Sequence, residues 1–296
     1  MKSSFKNLIY LFLFLVLLGL AVWAFYIEPS RLVVNNYPLK LKKWSAKQNG
    51  LKIVAISDVH GGSNFVTEER IREVVAKANA QNPDVIVLLG DYLSRKYLTP
   101  SELKMPLETI MQNLRGLQAK YGVYAVIGNH DNEFGGQQVR SEIERVGYKV
   151  LENEAVAINH NGEWIRLLGT DDVLKAGNNW NQISENLKSK LDNLDVKEGK
   201  LIVLTHNPDA IVYLTEELSI SDDFSLLIAG HTHGGQCRFP LIGAPIVPSE
   251  FKQKYAAGHI QDKGIDVFVT TGVGMSVLPV RFGVPPEIAL LQLYSE

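Results

Sequence analysis

Cys237 is the only cysteine in the 296-residue chain, so no internal disulfide can form and the redox compartment is not marked. Charge of either sign is not in excess. Thirty Lys and Arg face 32 Asp and Glu, a net of −2, so no basic field exists to draw nucleic acid, and no nucleic-acid partner is expected. Any anion the protein handles must be met locally. There is no internal repeat and no low-complexity tract, and nothing marks an obligate protein partner. At 46% hydrophobic and 21% charged residues, the composition is that of a packed globular chain rather than a disordered one. Long hydrophobic runs are also missing, with one exception.

The exception is "LIYLFLFLVLLGLAVWAFYI", Leu8 to Ile27, which carries no charge over 20 residues. At 1.5 Å rise per residue it can cross about 30 Å of hydrocarbon. Trp23 and Tyr26 stand near one end, where amphipathic rings suit the headgroup level. Residues 1–30 therefore read as a membrane anchor, or as a secretory signal with Val22 and Ala24 before a cut. The run is longer than a usual signal core, which favours a single-pass anchor. Lys2 and Lys6 precede the span, while Arg31, Lys40, Lys42, Lys43 and Lys47 come after it. That balance leans toward a cytoplasmic domain, but short N-tails with lysines also precede exported domains, so both sides stay open.

Residues 31–50 read as a linker turning into an edge strand, where Pro38 is tolerated because an edge has no ladder donor to lose. Residues 51–296 form one domain. "LKIVAIS", "DVIVLLG", "VYAVIG", "LIVLT" and "SLLIAG" are short apolar runs of strand length, separated by amphipathic stretches. "TEERIREVVAKANAQ" predicts a helix with Thr67 as N-cap; a second helix starts afresh near Pro106; "QQVRSEIERVG" and "NQISENLKSKLDNL" predict two more. Around Asn161-Gly162 the period falls to two, the pattern of a hairpin. Alternating strands and helices and then a strand-rich second half predict an α/β domain with two packed sheets.

The residues just after each apolar run carry the chemistry. "LKIVAIS" leads into Asp58-Val59-His60, "DVIVLLG" into Asp91, "VYAVIG" into Asn129-His130-Asp131, "LIVLT" into His206, and "SLLIAG" into Gly230-His231-Thr232-His233. In open α/β sheets, ligands bind beyond the carboxyl ends of the strands, so these side chains converge on one rim. Each residue alone has a plainer reading: an aspartate after a strand caps a helix, Asn129 makes a turn, and a single histidine is a satisfied polar group. Together, two carboxylates, one amide and four imidazoles are too many for one ion and suit two. Two-metal hydrolytic sites hold their ions about 3.5–4 Å apart and need a bridging carboxylate. Asp131, Asp171 and Asp172 read as turn or capping residues.

The ordered set "DVH", "GD", "GNHD", "H" and "GHTHGGQ" resembles the calcineurin-like metallophosphoesterases, from about Leu51 to the C-terminus. The resemblance implies a four-layer α/β-β-α sandwich of two packed mixed sheets, here preceded by one N-terminal transmembrane helix. It also implies that Asp58, His60 and His233 hold one metal, that Asn129, His206 and His231 hold the other, and that Asp91 bridges them. His130 would contact the substrate phosphate and assist the leaving group. The stretches "GHTHGGQCRFPLIGAP" and "GVGMSVLPVRFGVPPEIALLQL" are similar to a bacterial branch of membrane-anchored or exported phosphodiesterases, some acting as UDP-2,3-diacylglucosamine pyrophosphatases in lipid A synthesis. This implies residence in the bacterial cytoplasmic membrane and a glycolipid or other phosphate-containing substrate. Many relatives carry an acid three residues after the bridging aspartate, to orient the histidine; here Ser94 stands there, leaving Asp131 as a substitute.

Nitrogen and oxygen ligands without a thiolate favour Mn²⁺, with Fe or Zn²⁺ open. Arg281 in "LPVRFG" reads either as a bidentate contact to a second phosphate or as an ordinary salt-bridge arginine. Met275, Val277, Leu278 and Phe282 read as core, with contact to an acyl chain as the alternative, and Cys237 as a small buried side chain. Rival functions are a phosphodiesterase on a soluble nucleotide or cell-wall diester and a non-catalytic scaffold. The scaffold reading expects lost ligands, and none of the seven is missing.

Overall fold

The computed structural model describes residues 2–96, 98–99, 101–172, 180–216 and 224–296. The chain opens with helix α1 (Lys2–Val22), which runs on through a wider π-helical turn, Trp23–Ile27, into a short last turn, α2 (Glu28–Ser30). Within Phe5–Ser30 an 18-residue window reaches a mean hydropathy of 2.7 and is almost wholly unburied, so this helix is long and apolar enough to cross a membrane.

The rest of the chain builds two six-stranded sheets. The first has the order β1 (Val33–Leu41), β12 (Glu287–Ser295), β2 (Leu51–Ile56), β3 (Val85–Leu88), β4 (Val123–Ala125), β5 (Lys149–Val150). The second runs β10 (Gly258–Asp262), β11 (Ile265–Val269), β9 (Phe224–Ala229), β8 (Lys200–Leu204), β7 (Glu163–Gly169), β6 (Glu154–His160). Strands β2, β3, β4 and β5 are parallel, as are β7, β8, β9 and β11, while β12 runs antiparallel to β2. Pro38 lies in β1 at the sheet edge, opposite Gln292 in a parallel pairing.

Period-two alternation sorts the strand residues into layers. Ile53, Val85 and Val87 point between the sheets, against Ile165, Ile202, Leu204 and Ile228. Their neighbours Val54, Ile56, Ile86 and Leu88 point outward under helices α3 (Glu68–Asn79), α4 (Leu107–Leu114) and α5 (Asn129–Arg145), meeting Ile71, Ile110 and Val139. On the far side Val203, Leu227 and Val269 pack with Leu187 of α6 (Trp180–Asp192) and Ile211 and Leu214 of α7 (Ala210–Glu216). The result is the expected α-β-β-α sandwich.

Local signals act as their chemistry dictates. The Thr67 hydroxyl accepts the Arg70 amide at 3.3 Å, capping α3. Asn161 and Gly162, at φ 54° and 84°, form the tight turn between β6 and β7. One element departs from expectation: α5 starts at Asn129, eight residues before the predicted Gln137, and kinks at Gly135, whose φ is 150°. The early start is made possible by Asp131, whose carboxylate accepts the Gly128 amide at 3.0 Å and so occupies an otherwise orphan helix donor.

Candidate metal centre

Both sheets deliver their carboxyl-end residues to one edge of the sandwich. Asp58 and His60 come after β2, Asp91 comes after β3, and Asn129 and His130 open α5 after β4. His206 succeeds β8, and His231 and His233 succeed β9. Five of these side chains stand on strained backbone: φ is 53° at Asp58, 44° at His60, 55° at Asp91, 68° at His231 and 51° at His233. Left-handed conformations in non-glycine residues cost about 1–3 kcal/mol each and persist where surrounding structure fixes them. Two glycines are needed for close approach. A methyl at Gly128 would run into the Asp91 carboxylate, and one at Gly230 would meet Ser57 Oγ and come within 2.7 Å of Asp58 Oδ2.

Two groups of potential ligands result: Asp58, His60 and His233, and Asp91, His206 and His231, the atoms within each lying no more than 4.8 Å apart. In the first, His60 Nδ1 lies 2.9 Å from the Leu93 carbonyl, so the proton sits there and Nε2 turns its lone pair inward. That lone pair is 3.2 Å from His233 Nε2, which in turn lies 3.4 Å from Asp58 Oδ1. Asp58 Oδ1 is buried and has no hydrogen-bond partner. In the second, His206 Nδ1 donates to the Leu89 carbonyl at 2.7 Å. Its Nε2 then faces Asn129 Oδ1 at 3.1 Å, His231 Nδ1 at 3.1 Å and Asp91 Oδ2 at 3.3 Å. Asp91 Oδ2 is also 3.7 Å from His60 Nε2, so one carboxylate oxygen addresses both groups.

So many acceptors facing one another, with a buried carboxylate oxygen left over, is an arrangement that needs positive charge at its centre. The titration of the groups says the same. Burial alone would lower the His206 pKa, but the Asp91 carboxylate overrides it and lifts His206 to about 10. Asp91 itself is held well below the usual carboxylate range: His206 and His60 outweigh its burial. His231 falls to about 3 through burial and the neighbouring His206, and burial lowers His60 and His233 as well. Neutral His60, His231 and His233 and an ionised Asp91 are in the states that bind divalent cations, while His206 must give up its proton to do so.

His130 is more open than Asp58, His60, Asp91, His206 and His233, at 35% side-chain exposure, with Nε2 4.0 Å from Asp91 Oδ2. Its Nδ1 faces Glu133 Oε2 at 3.8 Å, one helical turn along α5. Asp131 does not face His130. It is fully buried and spends both oxygens on backbone: Oδ2 accepts Asp91 N at 2.8 Å and Gly128 N at 3.0 Å, and Oδ1 accepts Tyr92 N at 3.0 Å. The acid beside His130 Nδ1 is thus Glu133 rather than Asp131, on an oxygen that also lies 3.8 Å from Arg95 Nη1, while Asp131 fixes the loop that carries Asp91.

Arg281 also departs from the expected phosphate contact. It is fully buried, and its terminal nitrogens donate to the carbonyls of Val284, Pro285, Thr271, Gly272 and Gly274 at 2.5–3.5 Å. A guanidinium committed to five carbonyls clamps backbone and has no face for a phosphate. Cys237 is half-buried rather than buried, and it lines the cleft without joining either ligand group. Above the ligands the cleft opens to about 640 Å³, with Asp91, Asn129 and His130 on its floor and Phe239, Ile246, Val277 and Leu278 on its walls. A neighbouring groove meets it at His130 and carries the cations Arg95 and Lys104.

Residues 51–235 match the calcineurin-like phosphoesterase family, and the chain belongs to it. Family membership together with the two ligand groups implies a dinuclear metal site and a hydrolase. Among relatives, the chain is 28% identical to the uncharacterized metallophosphoesterase YkuE of Bacillus subtilis over 92% of its own length and 89% of that protein's. It is 30% identical to phosphodiesterase YaeI of Escherichia coli over 90% of each chain. It is 28% identical to a transmembrane protein with metallophosphoesterase domain from Danio rerio, over 90% of this chain and 58% of that one.

Proposed function

We propose that this chain is a membrane-anchored hydrolase of phosphodiester or pyrophosphate bonds, acting on a membrane-associated substrate such as UDP-2,3-diacylglucosamine. The observation that carries the reading is the single oxygen Asp91 Oδ2, 3.3 Å from His206 and 3.7 Å from His60. In this reading Asp58, His60 and His233 hold one ion, Asn129, His206 and His231 hold the other, and Asp91 joins them. When bound, two divalent cations, Mn²⁺ by preference, supply activated water near neutral pH and offset charge on the phosphoryl oxygens. The chain's own residues do the rest. The Leu89 and Leu93 carbonyls fix the tautomers of His206 and His60, so that each presents Nε2. His130, open to the cleft and backed by Glu133, donates a proton to the leaving oxygen, a contribution of about 100-fold. Where the substrate has a second phosphate, Arg95 and Lys104 beside His130 take the role that Arg281 cannot.

The apolar α1, with Trp23 and Tyr26 at the headgroup level, supports a single-pass anchor in the bacterial cytoplasmic membrane. The full chain in detergent with Mn²⁺ is expected to hydrolyse bis-p-nitrophenyl phosphate and to release UMP from UDP-2,3-diacylglucosamine. His206→Ala should abolish both reactions. Turnover of bis-p-nitrophenyl phosphate alone would move the substrate to a soluble nucleotide or cell-wall diester, and turnover of neither would overturn the enzymatic reading.

A further inference from the structure

Outside the N-terminal helical run, the described residues expose nine large hydrophobic side chains, and seven of them lie in two loops: 239–251 and 277–278. Leu241 and Val277 stand almost free of the protein, at 109% and 94% of full exposure, and Ile246, Ile242 and Leu278 come next at 77%, 67% and 59%. Isolated surface hydrophobes are ordinary, but a cluster of this kind marks an interaction site. These loops form the upper walls of the dimetal cleft, with Ile246, Val277 and Leu278 among its lining residues.

The two loops are tied to each other and to the apolar helix. Gln236 accepts the Ser276 amide at 2.8 Å and donates to the Leu278 carbonyl at 3.2 Å, while the Phe239 and Phe282 rings pack at 5.3 Å. The Arg281 amide donates to Ala24 O at 3.0 Å, and the Gly283 amide donates to the buried Glu28 carboxylate at 2.9 Å. Trp23 Nε1 holds the same Glu28 oxygen at 2.6 Å, and Tyr26 meets Phe65 edge-on. The end of the apolar span is therefore docked on the loop rather than joined by a free tether. Arg281 is three residues along the chain from Leu278, a reach of at most about 10 Å. Trp23 and Tyr26 mark the headgroup level of a spanning helix, so the loop tips stand beside the acyl boundary.

We propose that Leu241, Ile242, Ile246, Val277 and Leu278 form a second membrane contact, seated in the same leaflet that receives the end of α1. The dimetal cleft then opens directly onto the bilayer surface, and its substrate is a lipid whose phosphate reaches the ligands while its acyl chains stay at the apolar rim. This rests on the reading of α1 as a membrane span and deepens it from a tether into a fixed docking geometry.

The test uses the full chain in nanodiscs containing brominated phosphatidylcholine, with Val277→Trp and Leu241→Trp as separate probes. Each added tryptophan should show quenching beyond that of the unsubstituted chain, whose Trp23 reports on the anchor. Trp164, at the opposite strand ends, should stay unquenched. A Trp23 that is quenched while neither added tryptophan is would overturn the docked rim and leave the anchor standing; an unquenched Trp23 would overturn both. Leu241→Glu should lower turnover of a vesicle-embedded phosphodiester about tenfold or more, with bis-p-nitrophenyl phosphate turnover unchanged. Equal turnover of the embedded substrate by both proteins would also overturn the proposal. The quenching needs no catalysis, so absence of hydrolysis would count against the enzymatic reading alone.

Discussion

Asp131→Asn isolates the residue that holds the Asp91 loop in place. The native carboxylate accepts three amides, two on Oδ2 and one on Oδ1, in a site closed to water. An asparagine oxygen can take over Oδ2 and keep the Asp91 and Gly128 amides. Its NH₂ group must then face the Tyr92 amide, donor against donor. One buried donor left unsatisfied costs about 1–3 kcal/mol, and the two surviving bonds lose their charge assistance, giving about 3 kcal/mol in all. For a domain of this size that corresponds to a melting temperature lower by about 6–12 °C. The scan should be run in chelator, so that metal linkage adds nothing. Asp91 sits at φ 55° and donates its amide to this carboxylate, so Mn²⁺ affinity should fall as well. A melting temperature in chelator within about 1 °C of native would refute the reasoning, since a change that small is under 1 kcal/mol.

Arg281→Met should cost about 3 kcal/mol or more, because the Val284, Thr271 and Gly274 carbonyls lose their donor, while Gly272 and Pro285 keep the Glu287 amide and the Thr271 hydroxyl; calorimetry would show it, and an intact melting temperature with a raised KM would instead restore the phosphate contact. Gly128→Ala should displace the Asp91 carboxylate and weaken Mn²⁺ binding at a stability cost of about 1–3 kcal/mol, measured by metal titration beside a thermal scan; native affinity would contradict the close approach. Metal uptake should release a proton. His206, lifted to about 10 by Asp91, is charged at neutral pH without metal and must become neutral to bind it. Affinity should therefore fall as pH drops below that value. Calorimetry in buffers of different ionisation enthalpy should give about one proton per metal-loaded chain, and no buffer dependence would contradict the His206–Asp91 pair.

The parts of this site that were legible share one property. A ligand on a parallel sheet must come just after the last apolar residue of its strand, so the run "LLGD" or "IAGHTH" carries its own geometry. Layering was legible for a similar reason, since alternation along β2 and β3 assigns each residue a face. Backbone partners were not. The Leu89 and Leu93 carbonyls that set the histidine tautomers leave no trace in side-chain identity. Glu133 was within reach of the sequence, three residues after His130, but only for a helix begun at Asn129 rather than Gln137. Arg281 was open between a phosphate contact and an ordinary salt bridge, and nothing in one sequence reveals the five carbonyls around it. Val277 and Leu278 misled in the opposite sense: hydrophobic character suggested core, and their exposure arises from loop geometry that composition does not encode.

The central claim is that the Asp91 carboxylate joins two cations. Manganese titration of the full chain, read out by electron paramagnetic resonance, tests it without any substrate. The account predicts two manganese ions per chain with an exchange-coupled spectrum, as expected for a separation of about 3.5–4 Å. Asp91→Asn should abolish the coupling and weaken the second ion. Saturation at a single manganese, or a coupled spectrum that survives Asp91→Asn unchanged, would contradict it.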